Sequence, residues 1–357
     1  MRPAMGSPAE RYDFASDNTA GICPPAWAAL AEANDAPEIS YGDDRWTHGV
    51  IERVREIFEN DCEVSLIFNG TAANALALAH LCRSYHGVIC HERAHAQTDE
   101  CGAPEFFSGG AKLITTAGAN GKLDLGNVAE AFARHLDVHS SKPRALSLTQ
   151  ATEFGTIYTR AEIEALAEFA RDHSLFVHMD GARFANAIAA LECEPKAITW
   201  QAGVDVLCFG GTKNGTAAGD LVIFFDKELA REFDYRAKQA GQLASKMRFL
   251  AAPWLGLLEH NAWIENARHA NRSAKLLSQK LTAALGAEPV FACEASAVFF
   301  RLEEPVVNRL RDRGWRFYKF IEPDVYRFMC AWSTSEAQID EFVAEVRNSL
   351  AAGGNGA

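Results

Sequence analysis

Two side chains that could carry covalent catalysis follow two strand-like stretches of this sequence. Lys213 comes after the apolar stretch 204–209, in the run Gly-Gly-Thr-Lys-Asn, and Asp180 ends the stretch 176–180 at a Gly-Ala-Arg turn. A lysine amine can condense with a cofactor aldehyde, and a carboxylate can keep the nitrogen of a pyridine ring protonated, so that the ring accepts electrons from a carbanion. Together, in this order, the two residues predict a pyridoxal phosphate cofactor.

A possible phosphate-binding motif, Asn-Gly-Thr at 69–71, lies between a predicted strand and a predicted helix. Gly70 would let the backbone approach an anion, and the Thr71 hydroxyl could donate to it. The N-terminus of the helix supplies free N–H groups and a positive dipole. The alternative is an ordinary strand-to-helix turn in which Thr71 only caps the helix.

A polar, histidine-rich segment at 90–102 follows another short predicted strand. His95 is the candidate, because an imidazole beyond the end of the strand could stack on a cofactor ring and also transfer a proton. Two alternatives stay open. The segment could be a surface loop, or it could chelate a metal through His91, His95, Asp99 and Glu100. We expect no catalytic metal.

Two arginines are candidates for binding a substrate carboxylate. The planar fork of Arg183 matches a carboxylate, and its place in the first turn of a predicted helix, where the dipole disfavours a cation, indicates a functional role. Arg327 lies inside the apolar stretch 325–330, where an unpaired charge would be costly. It could face solvent by strand alternation, or it could face the cleft between two domains.

Composition restricts the class of protein. A chain of 357 residues predicts about two domains, at roughly 100 to 200 residues each. The net charge of −12, without a cluster of basic residues, argues against a nucleic-acid partner, and no segment is apolar enough to predict a membrane span. Nine scattered cysteines indicate reduced thiols. The start lacks the apolar stretch of a signal peptide and reads as a frayed terminus, so we expect a cytoplasmic protein.

The predicted pattern of strands and helices that must position these residues changes along the chain. Strand-like and helical stretches alternate from about 64 to 225, which predicts an α/β fold with a large, mostly parallel sheet covered by helices. A long helical stretch then runs from 242 towards 285, and a smaller α+β unit follows. We place a large cofactor-binding domain, with an N-terminal arm, at 1–258 and a small domain at 259–357, with the boundary inside the long helix.

The motifs, taken in order, resemble the threonine aldolase family over about 14–350. The resemblance is carried by Ser-Asp-Asn at 16–18, Tyr-Gly-Asp-Asp at 41–44, Asn-Gly-Thr at 69–71, Ala94 and His95 with Glu100, His-Met-Asp-Gly-Ala-Arg at 178–183 and Gly-Thr-Lys-Asn at 211–214. The hexapeptide at 178–183, followed by a lysine about thirty residues later, is the most specific part. The sequence looks like a low-specificity L-threonine aldolase branch that includes phenylserine aldolases.

This resemblance implies a fold-type I pyridoxal phosphate enzyme with a seven-stranded large domain, forming a homotetramer or dimer with active sites between subunits. By position, Lys213, His95 and Asp180 resemble the catalytic residues. The implied cofactor contacts are Gly70, Thr71, His95, Asp180, Arg183, Thr212 and Lys213, and the implied substrate contacts are Ser16, Arg183 and Arg327. In place of the family segment whose arginine reaches the neighbouring subunit's phosphate, this chain has 238–248, which leaves open whether Lys246 or Arg248 takes that role.

The implied activity is retro-aldol cleavage of L-β-hydroxy-α-amino acids, namely L-threonine, L-allo-threonine and L-phenylserine, to glycine and an aldehyde. His95 is the candidate base, acting directly or through water. A β-eliminating lyase or an aminotransferase on the same fold remains the alternative. A non-catalytic scaffold is a further alternative, but it would not need to retain Lys213, Asp180 and His95 together.

Overall fold

A computed structural model describes residues 9–354, so the predicted frayed terminus at 1–8 lies outside the described residues. The strands are β1 Glu63–Ile67, β2 His86–His91, β3 Lys112–Thr116, β4 Lys142–Thr149, β5 Phe176–Gly181, β6 Val206–Gly210, β7 Asp220–Phe224, β8 Ala297–Arg301, β9 Tyr318–Ile321 and β10 Val325–Met329. The helices are α1 Pro24–Glu32, α2 Arg45–Phe58, α3 Gly70–Leu81, α4 His95–Thr98, α5 Ala103–Ser108, α6 Leu125–Ala133, α7 Arg160–Asp172, α8 Phe184–Leu191, α9 Phe233–Gln239, α10 Arg248–Leu258, α11 Ala262–Leu285, α12 Glu304–Asp312 and α13 Glu336–Gly354.

The first seven strands form one sheet in the order β1-β7-β6-β5-β4-β2-β3. β7 runs antiparallel to β1 and β6, and all other neighbours are parallel. Apolar cores lie on both faces of this sheet, under α2, α7 and α8 on one side and α3 and α9 on the other. The predicted α/β fold with a mostly parallel sheet is confirmed.

The strands that carry the candidate residues lie at the centre of the sheet. β5 pairs with β4 and β6, and Asp180 is opposite Thr149 and Cys208. Every residue of β6 is buried, as expected for a strand covered by helices on both faces. Because parallel neighbours end at the same edge of a sheet, Asp180 and the segment that follows β6, with Lys213, meet there.

A second, smaller sheet has the order β8-β10-β9 and is antiparallel. Its core is closed by α11, α12 and α13, and Phe14 from the N-terminal arm packs into the same core. Arg327 occupies the middle of the central strand β10, opposite Phe299 and Tyr318. The arm, predicted as part of the large domain, therefore also contacts the small unit.

The predicted long helix is interrupted. α10 ends at Leu258 and α11 begins at Ala262, because His260 and Asn261 adopt left-handed backbone with φ of 52° and 59°. A left-handed residue cannot continue a right-handed helix. The boundary proposed near 258 thus coincides with a break between helices and does not fall inside one. Trp263 and α11 residues beyond it pack on both cores, so the helix joins the two units. Among residues 9–354, no helix combines the length and the apolar character that a membrane crossing requires.

Candidate active site

Two adjoining cavities lie at the edge where β5 and β6 end. Their volumes are about 220 Å³ and 290 Å³, and Asn18, His95, Glu153 and Lys213 line both. The smaller cavity also contains Asp180, Gly70, Thr71 and Thr212, whereas the larger contains Ser16, Arg183 and Arg327. All the residues predicted for the site therefore line one or both of two neighbouring cavities. A larger crevice of about 530 Å³ lies around Asp205, and none of those residues lines it.

Lys213 stands at the junction of the two cavities, on a single turn of 3₁₀-helix at Thr212–Asn214. The turn is fixed at both ends: the Gly211 N–H donates to Asp220 Oδ1 at 3.0 Å, and Asn214 Nδ2 donates to the Trp263 carbonyl at 2.8 Å. Lys213 is partly exposed and lines both cavities. An amine held on a rigid turn and open to a cavity is suited to covalent bonding with a cofactor.

Asp180 is buried, with 6% of its surface exposed. Its Oδ1 accepts the Ala182 N–H at 3.0 Å, and its Oδ2 accepts Asn74 Nδ2 at 3.0 Å. In the described part of the chain no lysine or arginine forms an ion pair with it. A buried carboxylate without a cationic partner is costly, and a protonated ring nitrogen in the cavity would provide that partner.

Asn74 links Asp180 to the histidine. It lies on the buried face of α3, and its Nδ2 also donates to Glu100 Oε1 at 2.9 Å. Glu100 Oε1 in turn accepts His95 Nδ1 at 2.9 Å. An ionised carboxylate can only accept, so Nδ1 carries the proton and Nε2 is left free for proton transfer. The sequence pointed to His95 and Glu100, but it gave no signal for Asn74 beyond its spacing of four from Gly70.

Hydrogen bonding and burial shift the titration of this pair. The hydrogen bond to Glu100 raises the pKa of His95 against the opposing effect of burial, and the nearby carboxylates of Asp180 and Glu153 add to the rise. Burial raises the pKa of Glu100, and hydrogen bonds from His95 and Asn74 offset this only in part. Titratable groups with shifted pKa values that line a cavity are typical of catalytic sites.

The start of α3 differs from the alternative in which Thr71 only caps the helix. Asn69, and not Thr71, caps the helix, since Asn69 Oδ1 accepts the Ala72 N–H at 2.9 Å. The Thr71 hydroxyl and the N–H groups of Gly70 and Thr71 form no hydrogen bond within the described chain, and both residues line the smaller cavity. These free donors at a helix N-terminus suit a phosphate.

Asp220, which the sequence analysis missed, lies beside the start of α3. Its Oδ2 is 3.1 Å from the position that a Cβ on Gly70 would take, and only 6% of its surface is exposed. Burial raises the pKa of Asp220 to about 6, although the Gly211 N–H and the charge of Lys213 act in the opposite direction. Its place on a buried antiparallel strand offered no motif by which to find it.

Arg183 is bound by a carboxylate from the chain itself. Asp17 Oδ2 accepts Arg183 Nε at 2.7 Å, and Asp17 Oδ1 accepts Arg183 Nη2 at 3.0 Å. Asp17 is 3% exposed; burial raises its pKa, but Arg183 and Lys213 outweigh burial and hold the pKa below its ordinary value. The prediction that Arg183 offers its full fork to a substrate therefore needs correction, because Asp17 occupies one edge.

Arg327 points to the cleft, and not to solvent. It lines the larger cavity, its guanidinium lies 4.9 Å from the Phe320 ring, and its buried Nε has no hydrogen-bond partner among residues 9–354. Burial, and next the charge of Arg183, lower the pKa of Arg327. A desolvated guanidinium with unused donors is suited to an anionic ligand such as a carboxylate.

The remaining candidates are also placed. Ser16 Oγ accepts the Asn18 N–H at 3.2 Å and lines the larger cavity. His91 is directed elsewhere, since its Nε2 lies 3.1 Å from the Gly118 carbonyl. The metal alternative therefore loses one of its four ligands, and across residues 9–354 no group of three or more His, Cys, Asp or Glu side chains is arranged to hold a metal ion.

The combined cavity fits pyridoxal phosphate. It contains an accessible amine at its junction, a buried carboxylate without a counter-ion, a flat imidazole and free N–H donors at a helix start, in the residues Lys213, Asp180, His95 and Gly70 with Thr71. These are the partners that the aldehyde, the ring nitrogen, the ring face and the phosphate require. The adjoining space at Arg327 is left for a substrate.

Comparisons with known proteins identify the family of this chain. A sequence model of the beta-eliminating lyase family matches residues 13–303. The chain is 54% identical to the low specificity L-threonine aldolase of Pseudomonas sp. strain NCIMB 10558, over 96% of this chain and 99% of that protein. It is also 54% identical to the one of Pseudomonas aeruginosa, over 94% and 96%. The solved structure of Leishmania major threonine aldolase superposes with a TM-score of 0.89 at 26% identity, covering 95% of this chain and 99% of that one.

Proposed function

Because the chain belongs to the threonine aldolase family, within the beta-eliminating lyases, we propose that it cleaves L-β-hydroxy-α-amino acids to glycine and an aldehyde. The observation that carries the proposal is the convergence of Lys213, Asp180 and His95 on one cavity that opens towards the unpartnered Arg327. The chain is a lyase with pyridoxal phosphate as its cofactor, and threonine is the substrate that its relatives' names indicate.

Pyridoxal phosphate supplies, when bound, an electron-accepting ring that allows the bond between Cα and Cβ of the amino acid to break. We assign Lys213 as the residue that anchors the cofactor covalently and Asp180 as the carboxylate that holds its ring nitrogen protonated. Gly70, Thr71 and Thr212 would bind the phosphate end. The free donors of α3 and the fixed turn at Thr212–Asn214 support these roles.

The proton of the substrate's β-hydroxyl must leave as the aldehyde forms, and we assign His95 as the base that takes it. Its Nδ1–H is engaged by Glu100, so Nε2 is the atom that acts, directly or through a water. Arg327, Ser16 and the free part of Arg183 bind the substrate carboxylate in the larger cavity. Anchors at the two ends of the combined cavity fix the orientation of the amino acid.

We propose a broad range at Cβ that includes L-allo-threonine and L-phenylserine as well as L-threonine. The larger cavity supports this, because apolar side chains that could contact an aryl group, Phe154, Phe320 and Ile321, are among the residues that line it. An apolar pocket discriminates weakly between a methyl and a larger apolar group.

We also propose that the enzyme is a homo-oligomer in which Lys246 reaches the phosphate site of a second copy. Lys213 is the one lysine or arginine among the described residues that line the smaller cavity, so a dianion there would lack a second cation. Arg248 is engaged by the Ala33 carbonyl at 3.1 Å and by the Phe249 ring, whereas Lys246 is exposed. A cytoplasmic location is proposed as well, supported by nine cysteines that are all free thiols.

The test is product analysis on purified protein with pyridoxal phosphate. We expect L-threonine, L-allo-threonine and L-phenylserine each to give glycine and aldehyde in equal amounts, and Lys213→Ala to give neither. Ammonia and a keto acid in place of glycine would contradict the aldolase assignment and support an eliminating lyase. Equal turnover by Lys213→Ala would contradict the site.

A further inference from the structure

The N-terminal arm contributes a carboxylate to the substrate end of the site. Asp17 lies on a 3₁₀ turn that Ser16 caps, 166 residues before Arg183, and it is buried against the guanidinium. Both of its oxygens are used, in two parallel hydrogen bonds of 2.7 Å and 3.0 Å. Such bidentate pairs are geometrically specific, so the position of Asp17 determines the orientation of Arg183.

The pair leaves part of Arg183 free. The two bonds engage Nε and Nη2, and Nη1 has no hydrogen-bond partner in the described chain although Arg183 lines the larger cavity. The guanidinium is planar, so once one edge is held, the direction in which Nη1 donates is set. Arg183 lines the same cavity as Arg327, whose Nε is also without a partner among residues 9–354.

The charge of Asp17 makes this arrangement tolerable. Arg183, Arg327 and Lys213 are three basic groups that line one cavity, and Arg183 acts on Arg327 as a like charge. Asp17 is close enough to all three to be stabilised by each of them. Without its negative charge, two like-charged guanidinium groups would line one desolvated cavity without the bonded carboxylate that offsets their charges.

We propose that Asp17 is a positioning residue for the substrate carboxylate: it holds one edge of Arg183 and thereby presents Nη1 of Arg183, together with Arg327, to the substrate. This inference rests on the proposed function, in which the two arginines bind that carboxylate. Asp17 does not touch the cofactor cavity, because it lines neither the smaller cavity nor the junction.

The test is Asp17→Asn, which retains the size of the side chain and removes its charge. We expect KM for L-threonine to rise about tenfold or more, the scale of a lost charge-assisted hydrogen bond, with kcat changed far less. Affinity for pyridoxal phosphate, measured by absorbance titration, should not change. An unchanged KM, or a loss confined to cofactor affinity, would overturn the proposal.

A matched control and a second variant sharpen the result. Asp13 lies four residues earlier on the same arm, is paired with Arg11, and lines neither cavity, so Asp13→Asn should leave KM unchanged. If Asp17→Asn does not fold, Asp17→Glu carries the same test, because it retains the charge and displaces the carboxylate by one methylene. Unchanged KM in that variant would also overturn the proposal.

A double-mutant cycle separates this inference from the proposed function. If Asp17 acts through Arg183, Asp17→Asn should raise KM much less in an Arg183→Lys background than in the wild type. Equal effects in both backgrounds would contradict the assignment. If Arg327→Met leaves KM unchanged, the proposed carboxylate site itself is wrong. If Arg327→Met raises KM and Asp17→Asn does not, only the role of Asp17 is wrong.

Discussion

Replacing Arg327 by Met should weaken substrate binding and stabilise the protein at the same time. The buried Nε of Arg327 has no hydrogen-bond partner within the described part of the chain, and burial lowers the pKa of Arg327, which means that folding disfavours its charge. A residue retained at a cost to stability is expected where the charge serves a ligand. Met has a similar length and leaves no charge to bind a carboxylate.

The magnitudes follow from its contacts. Loss of hydrogen bonds from a charged donor costs about 1.5–3 kcal/mol, so KM for L-threonine should rise about tenfold to about 150-fold. A buried unpartnered polar group costs about 1–3 kcal/mol, and the cation–π contact with Phe320 returns about 0.5–1 kcal/mol. The cost of the unpartnered group is larger than the gain from the cation–π contact, so replacing Arg327 by Met should raise the free energy of unfolding by about 1 kcal/mol.

KM is measured from acetaldehyde release. The free energy of unfolding is measured by denaturant unfolding of the cofactor-bound enzyme without substrate. Arg301→Met is the control: Arg301 lies on the neighbouring strand β8, and its exposed ion pair with Asp324 should contribute little. An unchanged KM for Arg327→Met would refute the substrate role. Marked destabilisation would show that Arg327 has a structural partner and would refute the reasoning from its unpaired state.

Three further substitutions test other parts of the site. Asp180→Asn should lower kcat about a hundredfold to several thousandfold in steady-state assays, because loss of a buried charge partner costs about 3–5 kcal/mol. Glu100→Gln should lower the pKa of His95; since a base must be neutral, the acidic limb of kcat/KM against pH should move to lower pH. Gly211→Ala should destabilise the fold by about 1–3 kcal/mol in thermal unfolding, because its Cβ would lie 2.5 Å from the buried ring of Trp254.

Each of these has a control and a contrary result. Asp205→Asn removes a partly buried carboxylate at the opposite edge of the sheet and should retain kcat; a near-wild-type rate for Asp180→Asn would contradict its role. For Glu100→Gln, an acidic limb of kcat/KM that stays in place or moves to higher pH would show that Glu100 does not raise the pKa of His95. In the control Gly21→Ala, no atom of the described residues lies within 4 Å of the added Cβ, so stability should not change. A Gly211→Ala variant as stable as the wild type would contradict the packing argument.

The sheet and its order of strands and helices were accessible from the sequence because its central strands are buried on both faces. Such strands are continuous apolar runs, as at β6 and β7, and they alternate with helices such as α7 that have one apolar face. The convergence of Lys213 and Asp180 followed from the same topology, since Asp180 lies near the end of β5 and Lys213 follows the end of its parallel neighbour β6.

Other elements were missed for different reasons. No helix is predicted over 24–58, although α2 has a readable signal, since Asp44 caps it and the buried Trp46, Val50, Val54 and Phe58 recur every four residues. In contrast, β9 is a short strand whose residues are exposed or half-buried, and the break at His260 and Asn261 has neither glycine nor proline to mark it. At β9 and at this break tertiary contacts, and not local propensity, decide the structure.

Site residues that belong to a sequence motif could be predicted. Residues whose bonding partner is distant in the sequence were missed. The pairing of Asp17 with Arg183 spans 166 residues, and Asn74 joins Asp180 from a position 106 residues earlier. No spacing rule predicts such contacts, because they arise only when the arm and α3 are packed against the end of β5. For the same reason, only the structure shows that Asp17 is bound to one edge of the Arg183 guanidinium.

The most direct test of the central claim is to locate the covalent bond between the protein and its cofactor. Purified enzyme with pyridoxal phosphate is reduced with borohydride, digested and examined by mass spectrometry. We predict a single modified peptide with the label on Lys213, and no label at that peptide in Lys213→Ala. A label on a different lysine, or an active enzyme without one, would contradict the account of this site.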